Sequence, residues 1–178
     1  MDLRRKGRKN NFHILNGFVI FAIVFLSYGC RYSFTGASVP PHLKTIAIPV
    51  FDDQSGYGRA TLREELTNKI VERFIQDNTL KIADKSTANS ILEGIIINVQ
   101  DNPVVVGTGE RVVKSRITIT VKVTYYDMVK RVKVWERTFS NWGEYELTGN
   151  IQLNLQQGIQ QAIEKLSEDI LLATVANW

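Results

Sequence analysis

From Val113 to Tyr126 the chain alternates without a break. Val113, Ser115, Ile117, Ile119, Val121, Val123 and Tyr125 fall on one parity, and Lys114, Arg116, Thr118, Thr120, Lys122, Thr124 and Tyr126 on the other. A period of two sends successive side chains to opposite faces of a strand, so this segment predicts a strand that is buried on one side and wet on the other. "DMVKRV", residues 127–132, predicts a turn into a second antiparallel strand from about Val132 to Phe139. The inward register of that strand is split: Val132 and Val134 share one parity, Trp135 and Phe139 the other, and a bulge would reconcile them.

Elsewhere the apolar spacing changes to that of a helix. Leu62, Leu66, Ile70, Val71, Phe74 and Ile75 line one face, Arg63, Glu64, Lys69, Glu72 and Arg73 largely the other, with Thr61 and Glu64 as a capping box and Asn78 as a stop. Leu155, Ile159, Ala162, Ile163, Leu166, Ile170 and Ala173 predict a second, C-terminal helix. "TIAIPVF", residues 45–51, reads as a short buried strand that Pro49 places near an edge or ends at a bulge. "LKIAD" reads as another short strand, and "SILEGIIINVQ" as a longer central one whose Ile95, Ile96 and Ile97 suggest burial on both faces. Two helices with one apolar face each, and a sheet apolar on one side, are best satisfied when both helices cover the same face. The expected fold is an α/β two-layer sandwich, with two helices packed on one face of a mixed, mostly antiparallel sheet of about four strands. Its free face would be threonine-rich and basic.

The first 29 residues follow a different pattern. A basic stretch, "RRKGRK", leads into an apolar run from Ile14 to Leu26 interrupted only by Asn16 and Gly17. A permanent membrane helix needs about 20 apolar residues, so the order and length fit an export signal better. Gly29 then precedes Cys30, the single cysteine of the chain. Cleavage between them would leave a cysteine at the new N-terminus, an arrangement that resembles a bacterial lipobox, although Ser27 stands where a leucine is usual and Leu26 lies one place further back. Acylation with palmitate-type chains would hold the domain at a membrane, because two or more chains anchor durably. The alternative is an idle thiol behind an ordinary signal or an uncleaved anchor. Residues 1–29 therefore read as a lipoprotein signal peptide, 30–43 as a lipidated tether containing Pro40 and Pro41, and 44–178 as one domain.

Composition narrows the chemistry further. Beyond the leader, His42 is the lone histidine and no second thiol exists to pair with Cys30, so neither a metal site, a nucleophilic triad nor a disulfide has the residues it needs. "SGYGRAT" offers Gly56 and Gly58 at a strand-to-helix junction, but Thr61 stands at the third glycine position and Asp52 and Asp53 would face the phosphates. A turn with helix capping suits it better than a nucleotide site. Glu64 and Glu65 read as a solvated helix face. No catalytic residue and no cofactor is expected. The charge is more telling. The leader carries the whole formal charge of +4, yet residues 111–137 hold eight basic side chains against Asp127 and Glu136. A patch of that kind attracts phosphate-bearing anions; in an exported protein a phosphorylated glycolipid is a better fit than nucleic acid. Edge protection and solubility explain the same lysines without any ligand.

"CRYSFTG" at the acylation site, then "PPHLKTIAIPVFDDQS", a helix, the hairpin "ITITVKVTYYDMVKRVKVWERTFSNWGEYE" and a closing helix together resemble the LptE-type lipopolysaccharide-assembly lipoproteins over nearly all of residues 30–178. The resemblance implies an outer-membrane lipoprotein, lipid-anchored at Cys30 and facing the periplasm or a barrel lumen. There it would plug and help assemble a β-barrel translocon of the LptD type, with lipopolysaccharide as a second partner. It also implies Lys114, Arg116, Lys122, Lys133 and Arg137 as candidate lipopolysaccharide contacts. The "IAIPVF" strand and following helix are shared with periplasmic lipoproteins that form secretion pores or activate cell-wall synthases, which leaves an adaptor or pore subunit as the alternative. If Cys30 carries the anchor, Cys30→Ala will abolish labelling of the protein by a fatty acid analogue and release it from membranes. Undiminished labelling would refute the anchor.

Overall fold

The structure, a computed structural model, describes residues 39–105 and 112–176. Elements follow in the order β1 (Thr45–Ala47), β2 (Asp52–Asp53), α1 (Leu62–Asp77), β3 (Lys81–Ile82), β4 (Ser90–Val105), β5 (Val112–Asp127), β6 (Val132–Glu146) and α2 (Ile151–Val175). They form one mixed sheet in the order β3-β1-β4-β5-β6, with β2 paired to β4 beside that path. β4, β5 and β6 make a long antiparallel meander, while β1 pairs parallel with β3 and β4, and β2 parallel with β4. The sheet thus has six strands where about four are expected. β3 falls within "LKIAD", which the sequence already offers as a short strand, whereas β2 is two residues long and too short to give a periodic signal.

Both helices lie on one face of this sheet. Ile117, Ile119, Val121, Val123 and Tyr125 of β5 are fully buried against Leu62, Leu66, Ile70 and Phe74 of α1 and Ile159, Ala162, Ile163, Leu166 and Ile170 of α2, in one continuous core. Burial of a Leu or Ile side chain stabilises by roughly 1.5–3 kcal/mol, so this single layer of contacts dominates the fold. Burial pushes the Tyr125 hydroxyl up to about 12, with a Ser90 hydrogen bond opposing the shift and Asp127 adding to it. The ring stays neutral and stacks at 5.7 Å from Trp135, which meets Phe139 edge-on at 6.1 Å. At the far end of the core Tyr145 donates a hydrogen bond to Asp101, and Ser115 bonds both Asp101 and the Asn102 carbonyl.

Of the three register shifts in the meander, the one between Val104 and Val105 lies at the end of β4, and two bulges decide which residues reach the core. One lies between Tyr125 and Tyr126, whose partners on β6 are Trp135 and Lys133, so Val134 is the extra residue. This is the bulge that the split parity of β6 requires. The other lies between Ile96 and Asn98 on β4. It turns Ile97 outward to 41% exposure and leaves Ile95 half-buried, so only Ile96 of the three isoleucines is a core residue. β4 is nevertheless central, flanked by β1 and β2 on one side and β5 on the other. Pro49 follows the end of β1 without interrupting it.

The helices are joined along their polar flanks. Glu65 of α1 accepts from Arg59 at 2.9 Å, Thr61 at 2.7 Å, Gln160 at 2.9 Å and Gln156 at 3.3 Å, and Glu164 of α2 bonds Lys69 at 2.8 Å and also Arg73. Glu65 is therefore a cross-link between helices rather than a solvated residue. The expected capping box is absent: Thr61 is the N-cap but its hydroxyl turns to Glu65 instead of a backbone N–H. Asn78 does end α1, in the left-handed conformation at φ 57°.

β6 and α2 meet at glycines. A methyl group on Gly143 would lie 2.8 Å from the carbonyl carbon of Gly158 and collide with its oxygen, so strand and helix backbones are in direct contact there. Gly143→Ala must part them, and overpacking of this kind costs about 1–3 kcal/mol. Urea denaturation will show that loss as a lower midpoint; an unchanged midpoint would mean that the contact carries no weight.

Candidate functional site

With both helices on one side, the other face of the meander is left open by the described residues. Its inventory follows from the register. Thr118 stands between Gln100 and Trp142, Thr120 between Asn98 and Ser140, and Arg116 between Asn102 and Glu144. Thr120 and Ser140 share a hydrogen bond of 3.0 Å. The face is therefore a belt of hydroxyls and amides, bordered by charges.

Four of the five basic residues singled out from sequence share this face. Lys114 stands opposite Glu146 and makes no ion pair among the described residues. Arg116 pairs with Glu144 at 2.7 Å and lies over the Trp142 ring at 4.0 Å; Lys165 reaches the same ring at 3.9 Å and bonds the Trp142 carbonyl at 2.8 Å. Lys122 and Lys133 converge on Glu136 at 2.8 and 3.2 Å. Arg137 has the opposite parity, as the partner of Val123, and sits 5.6 Å from the Trp135 ring. Hydrogen bonds from Lys122 and Lys133 hold the Glu136 carboxyl below its usual range, and one from Arg116 does the same for Glu144. Three of the five basic residues are thus paired with two carboxylates of β6, Glu136 and Glu144. Sequence alone could not pair them, because the pairing depends on the Val134 bulge.

The loop before α1 gives no sign of phosphate chemistry. Asp53 accepts from Ser55 N at 2.9 Å and Ser55 Oγ at 2.6 Å, and Asp52 from Asp53 N at 2.9 Å, so both carboxylates serve the turn itself. Among the described residues no group of three His, Cys, Asp or Glu side chains could hold a metal. Cys30 lies outside the described residues.

His42 is the residue whose role the sequence does not show. Its Nε2 lies 2.6 Å from the Oδ2 of Asp127, a buried carboxylate at the end of β5. The Oδ1 of Asp127 accepts from Lys130 N at 2.8 Å. Burial raises the Asp127 carboxyl, but the bonds from His42 and the Lys130 and Val129 backbone more than offset it, leaving it below the ordinary value. Nothing in the sequence links positions so far apart, and a histidine beside two prolines gives no periodic cue.

The described residues thus form a two-layer sandwich with both helices on one face of the sheet and a polar face on the other, and no helix among them is long and apolar enough to cross a membrane. Residues 43–174 match the LptE lipopolysaccharide-assembly family, and the chain belongs to that family. It is, at that level, a lipopolysaccharide-assembly lipoprotein of the cell envelope. Among solved structures it is similar to a hypothetical protein of Chlamydia trachomatis (TM-score 0.56, 10% identity, covering 74% of this chain and 95% of that one). A Xanthomonas campestris protein is also similar (0.58, 12%, 75% and 84%), as is a variant of the PelC dodecamer of Paraburkholderia phytofirmans (0.52, 12%, 81% and 95%). At these identities the likeness is one of fold. No curated protein matches the chain in sequence.

Because the folded-state value of Asp127 is depressed, its contribution to stability is present above the unfolded carboxyl value near 4 and disappears as pH falls through the folded value. Asp127→Asn should lower stability by about 1–2 kcal/mol at pH 7, and the gap to wild type should close below about pH 4. A gap in urea denaturation that is constant from pH 7 to the acid limit would contradict this.

Proposed function

We propose that this chain is an outer-membrane lipoprotein, anchored by acyl chains at Cys30, that seats its open sheet face against the inner wall of an LptD-type β-barrel. It plugs and helps assemble the translocon through which lipopolysaccharide leaves the cell, and it does so without catalysis of its own. The observation that carries the reading is the uncovered belt of Asn98, Gln100, Thr118, Thr120 and Ser140. Barrel lumens are polar and hydrated, and a plug must match them in hydroxyls and amides. Membership of the lipopolysaccharide-assembly family supports the same reading.

Contact with lipopolysaccharide is a second part of the proposal. Exposed ion pairs contribute only about 0–1 kcal/mol, so a phosphate can displace Glu144 from Arg116, or Glu136 from Lys122 and Lys133, at little cost. Lys114 needs no such exchange among the described residues, and Arg137 flanks the patch from the other parity. These five residues are the proposed contacts.

A photo-crosslinking amino acid in place of Thr120, in the full chain in its native membrane, tests the plug. We expect an adduct with a large β-barrel protein, and the same barrel as a stoichiometric companion on gentle extraction. Rings of this chain alone, or a peptidoglycan synthase as the companion, would overturn the reading in favour of a pore subunit or adaptor. Reversing Lys114 and Arg116 to Glu should weaken capture of lipopolysaccharide several-fold at low salt, where exposed charges act most strongly, and less at high salt; equal capture at low salt would remove the patch from the mechanism.

A further inference from the structure

The turn between β5 and β6 has a composition that neither the core nor the open face explains. Met128, Val129 and Val132 are 43%, 55% and 49% exposed, and between them stand Lys130 and Arg131, which make no ion pair among the described residues. Arg131 is held at φ 59°, in the left-handed region, as the last residue before β6. The one acid of the turn, Asp127, is buried beneath it and occupied by His42 and the Lys130 backbone. What the turn presents outward is therefore apolar and cationic, with no carboxylate.

The same place is where the chain enters the domain. His42 is clamped to Asp127, Lys44 N donates to Asn89 Oδ1 at 3.2 Å, and Met128 N donates to the Asn89 carbonyl at 2.9 Å. The entry segment and the turn are thereby fixed to each other through Asn89. Residues 31–41, which separate Cys30 from His42, can span at most about 40 Å, so an anchor at Cys30 would tether the domain by this end.

We propose that the Met128–Val132 turn is a second membrane contact, inserting its apolar side chains among the headgroups of a phospholipid surface while Lys130 and Arg131 bind the lipid phosphates. Two features select a bilayer over a protein partner. Short apolar side chains interleaved with cations that make no ion pair among the described residues suit an anionic interface, and the described chain begins beside this same turn, where His42 meets Asp127. The inference goes beyond the plug, which uses the open face, and stands without it. An acyl tether alone leaves the domain free to rotate; a second contact beside the tether would fix which end faces the lipid.

The test uses the full chain in its native membrane, with phospholipids labelled by radioactive phosphate and the photo-crosslinker benzoylphenylalanine replacing Val129, or Met128 in a second variant. Thr148, exposed beyond the far end of β6, is the control position. We expect labelled adducts at the two turn positions at least tenfold above the control, with the label released by phospholipase. Each cation at an anionic surface contributes roughly fivefold in affinity, so adding Lys130→Glu and Arg131→Glu should cut the Val129 adduct about tenfold or more. Adducts to protein only, adducts carrying lipopolysaccharide that phospholipase does not release, or a yield no higher than at Thr148 would each overturn the proposal. A phospholipid adduct at Val129 without a barrel adduct at Thr120 would leave this contact standing and remove the plug.

Discussion

The structure depends on the partition of β5 into two faces. Every odd residue from Ile117 to Tyr125 is in the core, and every even one from Arg116 to Tyr126 is on the open face. β5 is hydrogen-bonded on both sides along its length, to β4 and to β6, so it cannot shift by one residue without sending its whole apolar set to solvent and its threonines and lysines into the core. The helices only complete what this strand begins. Gly143 and Gly158 let α2 approach β6 closely enough for its Ile159, Ala162 and Ile163 to reach the odd side chains.

The same partition yields the open face on which the proposed function rests. A sheet with helices on both faces would have no polar belt to offer; one with helices on a single face has one by construction. Its charges are matched from within, through Arg116 with Glu144 and Lys122 and Lys133 with Glu136. Lys114 makes no such pair among the described residues, and the face remains rich in donors and acceptors. That is suited to lying against another polar surface, and its weak exposed pairs can be exchanged for those of a ligand. Membership of the lipopolysaccharide-assembly family fits a protein whose work is contact rather than chemistry.

How much of this was legible in the sequence varies with the length of each signal. β5, α1 and α2 announce themselves because many residues in each repeat one period, and the one-sided burial of all three follows from it. β2 does not, since two residues carry no period. The Ile95–Ile97 run misleads because a bulge, invisible in composition, turns Ile97 outward. The resemblance of the hairpin and the "IAIPVF" segment pointed to the family that the comparison then showed. The basic residues were legible, whereas their carboxylate partners were not, because cross-strand pairing requires the register. Glu65 and the His42–Asp127 pair were missed for a related reason: each joins segments distant in sequence through side chains whose types suggest nothing but solvation.

The account stands on the open face of the β4–β5–β6 meander being the one that meets the barrel wall. Cryo-electron microscopy of the complex extracted gently from membranes tests this directly. Density should show Thr118, Thr120 and Ser140 against the inside of a β-barrel, with α1 and α2 turned away from that contact. A complex in which the helices line the contact, or in which the meander faces bulk water with the partner elsewhere, would contradict it.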